Sequence, residues 1–339
     1  MSAPELNTST LADFVKNATI LWAKGFDSVE QVMRKSGLYQ IVSIPKNSGN
    51  TREFSEIDTE EYAKKKDQGD EAQRAQVQQG YSKIMTKYRV ALDIGITYEM
   101  RTENKYPEIV STLKGLGKQV AQRMDLDLAH RITFGTATTY VDMDGETVSI
   151  TTGDSLQLFY SAHTLNGSST TYRNRLANNP RLSKGALEGM ERLAVEETYN
   201  SLGQKMTMSF DVLWTTDDPN TINTAREYLQ STADVEGAHS GIKNVYMSKY
   251  RHVVLPRVAT DNEGNPDTDK RYYWGIASTG MTGGRLGVWE EPRLKTPPAD
   301  GNSGEEFSTD NWNFGVRGGY GIVWLNGTAI KFSSGDGSA

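Results

Sequence analysis

Cysteine is absent from this chain of 339 residues. Without thiols the protein can form no disulfide framework, no thiolate metal site and no cysteine nucleophile. The absence also favours folding inside the cell, where disulfides are rare. Thiol-based redox chemistry is therefore excluded.

Long apolar runs are missing as well. Nowhere do about 18 apolar residues follow one another, which is the length that a membrane-spanning helix needs. The N-terminal segment, MSAPELNTSTLADFVKNATILWAKG, has no basic stretch followed by an uninterrupted apolar run, so it lacks the pattern of a secretory signal. The sequence predicts a soluble protein without an export signal.

Positive charge and apolar residues are both scarce. The net charge is −6, which argues against the broad basic surface that nucleic-acid recognition needs, although a local basic patch is compatible with it. With glycine counted in place of tyrosine, apolar residues make up about 41% of the chain, below the usual ~45–50% of globular domains. We therefore expect part of the chain to be arm or loop.

The most polar segment, residues 59–79, has only Tyr62 and Val77 as large apolar side chains. It lies between two strand-like stretches, 38–44 and 81–100, which predicts a long hairpin arm with a charged tip. Such an arm buries too little apolar surface to offset the entropy lost on ordering. We expect it to stay mobile or to lie on another surface, so the chain needs neighbours to complete it.

Helical patterns precede and follow this arm. Residues 10–23 and 28–36 predict two amphipathic helices of an N-terminal arm, the second ending at Gly37. Residues 104–134 have apolar side chains at intervals of three and four and predict one long helix, with Asn104 and Pro107 at its start and Gly135 at its end. Its glycines at 115 and 117 make a bend plausible in the first third.

The rest of the chain mixes strand and helix signals. Asp144 and Gly145 predict a tight hairpin, and polar loops are expected up to Asn179 and again from about 279 to 304. Ser183 and Asp217–Pro219 predict helix starts. The remaining strand-like segments are 211–216, 244–258, 271–278 and the terminal stretch 307–332. The predicted class is α+β.

Several segments in this order resemble the major capsid proteins of tailed bacteriophages, whose shell fold is shared with encapsulins. They are LFYSAHTLNG (158–167), LSKGALEGMERLA (182–194), the run from Gly203 through FDVLWTTDDPNTINTAREYL (210–229), and FGVRGGYGIVW (314–324). Each segment is a loose pattern, but the resemblance spans nearly the whole chain.

The resemblance implies the Hong Kong 97-like (Johnson) fold, with the following division. The parts are an N-terminal arm (1–37), an extended β-hairpin loop (38–101), a peripheral domain (102–182) with a spine helix (104–134), an axial domain (about 183–310), and terminal strands that return to the peripheral domain (311–339). It further implies hexamers and pentamers of the chain itself, a separate scaffolding protein, a portal, optional decoration proteins, and loose contact with packaged double-stranded DNA. No cofactor or membrane is implied, and the expected location is the virion, with assembly in the host cytoplasm.

The candidate site is the intersubunit tip of the extended loop, where both signs of charge are mixed. Its residues are Glu60, Glu61, Lys64, Lys65, Lys66, Asp67, Asp70, Glu71 and Arg74. One exposed ion pair contributes only ~0–1 kcal/mol, so binding strength would come from the number of copies. The alternative that the residues leave open is a solvated loop without a partner.

Patterns typical of enzymes are absent or incomplete. There is no G-x-S-x-G nucleophile elbow, GLGKQ at 115–119 lacks the spacing of a phosphate loop, and the adjacent pairs Glu196–Glu197 and Glu290–Glu291 need not converge on one substrate. No H-E-x-x-H zinc spacing occurs among the histidines, which are His130, His163, His239 and His252. We expect no catalytic, metal or cofactor site.

Two further patterns are compatible with chemistry but have simpler explanations. The segments DNEGNPDTD (261–269) and DMDG (142–145) offer oxygen ligands for Ca²⁺, yet Pro266 breaks the EF-hand pattern and acidic turns explain both. Some relatives of the resembled family crosslink an arm lysine to a neighbour's asparagine, which directs attention to Lys64–Lys66 and Asn326. Because that chemistry needs a desolvated lysine and a carboxylate base, we do not expect it here.

The function predicted from these observations is a major capsid protein that self-assembles into an icosahedral shell around the double-stranded DNA of a tailed phage. An encapsulin-like compartment shell around a cargo enzyme is the nearest alternative. A secreted β-rich hydrolase or binding module is a third, which the missing export signal and catalytic spacing disfavour.

Overall fold

The computed structural model describes residues 8–58, 62–72, 74, 78–103, 106–233, 243–297 and 310–337. The helices are α1 (Thr8–Asp27), α2 (Val32–Lys35), α3 (Tyr98–Thr102), α4 (Tyr106–Thr133), α5 (Lys184–Glu196) and α6 (Pro219–Gln230). The strands are β1 (Tyr39–Ser43), β2 (Thr51–Asp58), β3 (Gln78–Thr86), β4 (Tyr88–Ile96), β5 (Thr139–Val141), β6 (Thr147–Ser149), β7 (His163–Leu165), β8 (Ser168–Tyr172), β9 (Val212–Thr215), β10 (Arg251–Val254), β11 (Trp274–Ala277), β12 (Gly284–Lys295), β13 (Trp312–Trp324) and β14 (Ile330–Ser333). This mixture confirms the predicted α+β class.

One four-stranded sheet joins distant parts of the sequence in the order β1-β12-β13-β4. Strand β1 runs parallel to β12, with Tyr39 opposite Gly284, and β13 is antiparallel to both β12 and β4. Apolar side chains of β13, such as Phe314 and Val316, are buried together with Leu113 and Leu116 of α4 in adjoining clusters. The sheet therefore uses one face to pack on the long helix.

The extended hairpin is shorter than the sequence pattern predicts. Its strands are β2 and β3, which pair antiparallel from Thr51 opposite Thr86 to Asp58 opposite Gln78. The stretches 38–44 and 88–96, expected to be its arms, belong to the four-stranded sheet instead. The reason is burial, because Tyr39 and Ile96 are almost fully enclosed by the body of the protein. Where the domain boundaries lie stays a prediction.

A second four-stranded sheet, in the order β10-β9-β11-β14, forms the other core with α5 and α6. The predicted helix starts are confirmed: the side chain of Ser183 accepts the N–H of Ala186, and the side chain of Asp218 accepts that of Thr221. Caps of this kind satisfy N–H groups that have no partner within the helix. Of the segment 244–258, predicted as strand, only β10 is strand.

One of the two glycines in the long helix, Gly117, lies where the helix packs closely against α1. A Cβ placed on Gly117 would lie 2.8 Å from the backbone nitrogen of Phe26 and closer still to the carbonyl oxygen of Trp22, both in α1. The opposing Gly25 of α1 would clash in the same way with the backbone of Lys114. The helices therefore cross with their backbones in contact, which only glycine permits.

Two elements were expected to be loops and are strands. The hairpin β7–β8 lies in the polar segment before Asn179, and β12 lies in the Gly- and Pro-rich segment after residue 279. In β12 a Cβ on Gly287 would meet the sulfur of Met85 at 2.5 Å, and Pro292 falls at an irregularity between Glu290 and Arg293. A glycine at a close approach and a proline at a bulge are compatible with a strand, but in sequence both indicate a loop.

A lysine lies at the centre of the second core. Lys331 of β14 has no exposed surface, and its ammonium donates hydrogen bonds to the carbonyl oxygens of Glu197 at 2.9 Å and Arg173 at 3.4 Å. Burial lowers the pKa of Lys331 from 10.5 to about 7, although nearby Glu197 opposes this change. The folded protein therefore disfavours the charged amine.

Replacing Lys331 with methionine is expected to raise stability at pH 6 by about 1 kcal/mol, because burying a charge is costly and lost carbonyl bonds cancel only part of the gain. Between the folded pKa near 7 and the unfolded pKa of 10.5, the unfolded chain binds more protons, so wild-type stability rises with pH in that window. The advantage of methionine should therefore shrink between pH 7 and 10. Urea unfolding at pH 7 and at pH 10 measures the free energy of unfolding of each protein. Lys118→Met, at an exposed site, is the control. If this free energy changes equally with pH in wild type and both variants, the prediction is wrong.

Candidate assembly surfaces

The tip of the hairpin extends from the body with almost no contacts. The described tip residues, 62–72 and 74, are all exposed. One bond joins this segment to the body: the hydroxyl of Tyr62, itself 67% exposed, donates to the carbonyl oxygen of Lys205 at 3.3 Å. The tip therefore has its surface free to contact another molecule.

The charged residues predicted as the site are found mostly where the sequence placed them. Lys64, Lys65, Lys66, Asp67, Asp70, Glu71 and Arg74 lie on the exposed tip, and within the described residues none of their side chains forms a hydrogen bond or ion pair. Glu60 and Glu61 lie outside the described residues. Whether this tip contacts a neighbour stays a prediction.

The root of the hairpin, in contrast, is fixed to the body by β3. Tyr81 shares a hydrogen bond of 2.8 Å with the hydroxyl of Thr164, and Asn166 donates from its amide to the carbonyl oxygen of Gln79 at 2.9 Å. The ammonium of Lys83 donates to the hydroxyl of Thr151 and the carbonyl oxygen of Thr152. Burial lowers the pKa of Lys83, against the opposing effect of Asp154.

The loop under this root is shaped by a buried hydrogen-bonded pair, His163 and Asp154. His163 Nδ1 lies 2.8 Å from a carboxylate oxygen of Asp154, and His163 Nε2 lies 3.2 Å from the carbonyl oxygen of Leu158. The exposed fractions of the two side chains are 0% and 4%. Both ring nitrogens of His163 therefore face oxygen atoms of the loop. Burial would raise the pKa of Asp154, but hydrogen bonds from His163 and Thr152 outweigh this effect and lower it.

The other histidines considered in the sequence analysis are not part of this hydrogen-bonded pair. His130 makes edge-to-face contacts with the rings of Phe134 and Tyr140, and burial lowers its pKa to about 4. His252 lies 2.9 Å from the hydroxyl of Thr215, burial also lowers its pKa, and His239 lies outside the described residues. His130 and His252 thus contact neighbouring side chains of the body.

The acidic turns use their carboxylates internally. Asp261 accepts the backbone N–H groups of Glu263 and Asn265, and Asp142 and Asp144 pair with Arg123 at 3.7 Å and 2.7 Å. Across the described ranges, no group of three or more acidic or histidine side chains is arranged to hold a metal ion. None of the helices in those ranges is long and apolar enough to cross a membrane.

The residues considered for crosslinking are not joined within one chain. Asn326 donates from its amide to the carboxylate of Glu56 in β2, whereas Lys64, Lys65 and Lys66 are exposed on the tip. Burial supplies none of these three lysines with the desolvation that the reaction needs.

Within the described residues, the body has two packed cores, and the hairpin is joined to it mainly at its root. The family model described as "Phage capsid protein" matches residues 81–331, well over half of the chain. The protein belongs to the phage capsid protein family. The resemblance to the major capsid proteins is thereby confirmed, and the chain is a structural protein of the phage capsid.

Comparison with other proteins adds distant similarities. No curated protein sequence matches the chain. Among solved structures, the virus-like particle from Pyrococcus furiosus is 13% identical with a TM-score of 0.47, covering 95% of this chain and 99% of that one. A chain of Gordonia phage Cozz is 13% identical with a TM-score of 0.49 (coverages 89% and 85%), and the procapsid of bacteriophage JBD30 is 9% identical with a TM-score of 0.45 (95% and 74%). The assignment rests on the family match, which does not favour the encapsulin-like and hydrolase alternatives.

Proposed function

We propose that this capsid subunit assembles through hexamers and pentamers into a closed icosahedral shell around double-stranded DNA, with the β2–β3 hairpin lying across a neighbouring copy. The observation that carries this proposal is the contrast between the two ends of the hairpin. The root is fixed by Tyr81, Lys83 and Asn166, whereas the described tip has one bond to its own body. An arm held rigidly at one end and left uncovered at the other presents its surface to a second molecule.

The charges of the tip suit reversible assembly. Both signs occur within residues 64–74, so pairs with a neighbour are individually weak, at about 0–1 kcal/mol each when exposed. Weak repeated contacts allow a misplaced subunit to leave and rebind. Strength then comes from the number of contacts around a closed shell, where each subunit is held by several neighbours.

The division of the chain into functional parts follows the same proposal. Residues 102–182, which include α4, would form the peripheral domain, and residues from about 183 to 310 the axial domain that meets its symmetry mates. Residues 311–339 return to the periphery, as supported by β13, which lies between β12 and β4 of the sheet that packs on α4.

Partners and setting are also part of the proposal. A separate scaffolding protein, a portal and decoration proteins would complete the particle, and packaged DNA would be contacted loosely and without sequence specificity. Assembly would take place in the host cytoplasm before the protein resides in the virion. No catalytic activity is proposed.

Deleting residues 60–75 tests the role of the hairpin. We expect a folded monomer that forms no closed shells, because the described tip residues are exposed and belong to neither core, whereas the proposed contact of the hairpin with a neighbour requires them. Circular dichroism and negative-stain microscopy measure the two properties. In a second variant, residues 62–72 are replaced by a Gly/Ser segment of equal length. This variant keeps the length of the arm but removes its charged side chains, so it shows which of the two assembly needs. Normal particles from the deletion would refute the assigned role.

A further inference from the structure

One face of the first sheet is strongly basic, although the chain as a whole is acidic. The face is the side of β4, β13 and β12 that bears Arg89, Arg317 and Arg293 in neighbouring strands. Its cations are Lys46, Lys87, Arg89, Arg293, Lys295 and Arg317, and its carboxylates are Asp93 and Glu290. We call these residues the basic sheet face.

The pairing of the strands shows that they share this face. Arg317 of β13 lies directly opposite Arg293 of β12 and Ala91 of β4. Two positions away along β13, Gly315 lies between Lys295 and Asp93, and Gly319 lies between Glu290 and Arg89. Because residues i and i+2 of a strand point to the same side, these three rows form one surface.

Most of the positive charge on this face has no partner. Glu290 is shared by Arg293 at 2.8 Å and Lys46 at 3.7 Å. Within the described residues, no hydrogen bond or ion pair is formed by the side chains of the other cations, which are Lys87, Arg89, Lys295 and Arg317.

The central pair of arginines is unfavourable for the isolated subunit. Like charges placed directly opposite each other on neighbouring strands are destabilising, and Arg293 faces Arg317 in this way. A binding partner that brings carboxylates to this row would remove the repulsion.

The surface is shallow, which indicates what kind of partner it fits. At Gly315 and Gly319 the central strand has no side chain, and a Cβ there would clash with Asp93 and Lys87 respectively. These two side chains therefore lie flat across β13. A central strand covered by side chains that lie flat across it suits a broad contact with another macromolecule rather than a small ligand.

The charges of the face and of the rest of the chain indicate which kind of macromolecule binds there. The face has six cations and two carboxylates, while the whole chain has a net charge of −6, so the remainder of each copy has a net charge of −10. That remainder complements the face of another copy. A nucleic acid is disfavoured, because it would meet the two carboxylates on the face and the negative charge of the surrounding surface.

We propose that the basic sheet face is an interface that binds a carboxylate-bearing surface of a second copy of this chain. The proposal rests on the shell function proposed above and adds the surface through which copies attract each other. Contact between different patches of two copies is heterologous, and such contacts close into rings when the rotation between copies permits.

Assembled particles allow a direct test through the two unpaired lysines of the face. Shells are assembled from an equal mixture of ¹⁴N- and ¹⁵N-labelled subunits and treated with a carbodiimide, which joins lysine to a carboxylate in contact with it. We expect mixed-isotope crosslinks from Lys87 or Lys295, and at least tenfold slower acetylation of both lysines in shells than in monomers. Lys118, exposed on α4, serves as the reference lysine.

The possible results separate the two proposals. Shells in which Lys87 and Lys295 react as fast as in monomers, without crosslinks, overturn the interface and leave the shell function standing. Protection only in DNA-filled particles, again without carboxylate crosslinks, overturns it in favour of nucleic acid. Failure of the wild-type chain to form shells under any condition contradicts the shell function and the interface with it.

A charge reversal gives an independent measurement. The double variant Arg89→Glu/Arg317→Glu is expected to reduce the yield of shells at least tenfold, while the monomer folds normally because a carboxylate at position 317 would relieve the repulsion from Arg293. The double variant Lys118→Glu/Lys243→Glu, which makes the same change in net charge at two exposed sites off this face, is the control. Assembly equal to wild type in the double variant would count against the interface.

Discussion

Replacing Gly117 with alanine is expected to lower the free energy of unfolding by about 2–3 kcal/mol, because the new methyl group has no space at the crossing of α1 and α4. The atoms it would meet belong to the backbone of α1 at Trp22 and Phe26. A flexible side chain could rotate away, but a helix backbone can yield only by moving as a unit. We therefore expect α1 to separate from α4, which exposes the apolar ring of Trp22.

A matched control lies two residues away in the same helix. A Cβ on Gly115 would have nothing within 4 Å, so Gly115→Ala should stabilise the helix by about 0.5–1 kcal/mol through propensity alone. Urea unfolding monitored by tryptophan fluorescence measures both changes. If the two alanine variants shift stability in the same direction, the close crossing of the helices is wrong.

Replacing His163 with alanine is expected to cost about 3–5 kcal/mol, since it leaves the carboxylate of Asp154 buried without its main hydrogen-bond partner. The loss should be felt at the hairpin, because the loop that holds Asp154 and His163 also carries Thr164 and Asn166, the partners of β3. Hydrogen exchange of the amides between residues 79 and 85 should accelerate. Tyr81→Phe, which removes a single bond to this loop, is the control and should change exchange only slightly; unchanged exchange in His163→Ala would contradict this coupling.

The pH dependence of the same pair has a defined sign. The pKa of Asp154 is lowered in the folded protein, so its contribution to stability is present above the ordinary carboxyl pKa of ~4 and is lost as the pH falls below it. A protonated Asp154 is uncharged, so the loss of its histidine partner costs less. The difference in stability between wild type and His163→Ala should therefore decrease between pH 5 and pH 3.

Local signals predicted much of the fold. Ser183 and Asp218 cap helices where their side chains have to satisfy free N–H groups, and the apolar spacing of α4 is visible because one face of it is buried along its length. What the sequence could not show is which strands pair. The strand-like stretches around the hairpin were expected to pair with each other, yet β1 pairs with β12, more than 240 residues away. Long-range register depends on tertiary packing, which no local pattern encodes.

The hairpin tip and the basic sheet face also differ in whether a local sequence pattern reveals them. The hairpin tip was visible because a long polar segment with Tyr62 and Val77 as its large apolar residues cannot build a core. The basic sheet face was not visible, because its cations come from separate segments and meet only through the register of β4, β13 and β12. In sequence, Lys87 and Arg89, or Arg293 and Lys295, are ordinary pairs of alternate residues.

The order of strands in the first sheet has a consequence for synthesis. Its edge strands β1 and β4 are made within the first hundred residues, but the strands that join them, β12 and β13, follow only after residue 283. At about 5–20 residues per second, the early strands wait on the order of ten seconds for their partners to leave the ribosome. A chain whose translation stops before β12 lacks the middle of this sheet, and its β1 and β4 are left without the strands they pair with. The first sheet can therefore form only in a polypeptide that has been translated through β13.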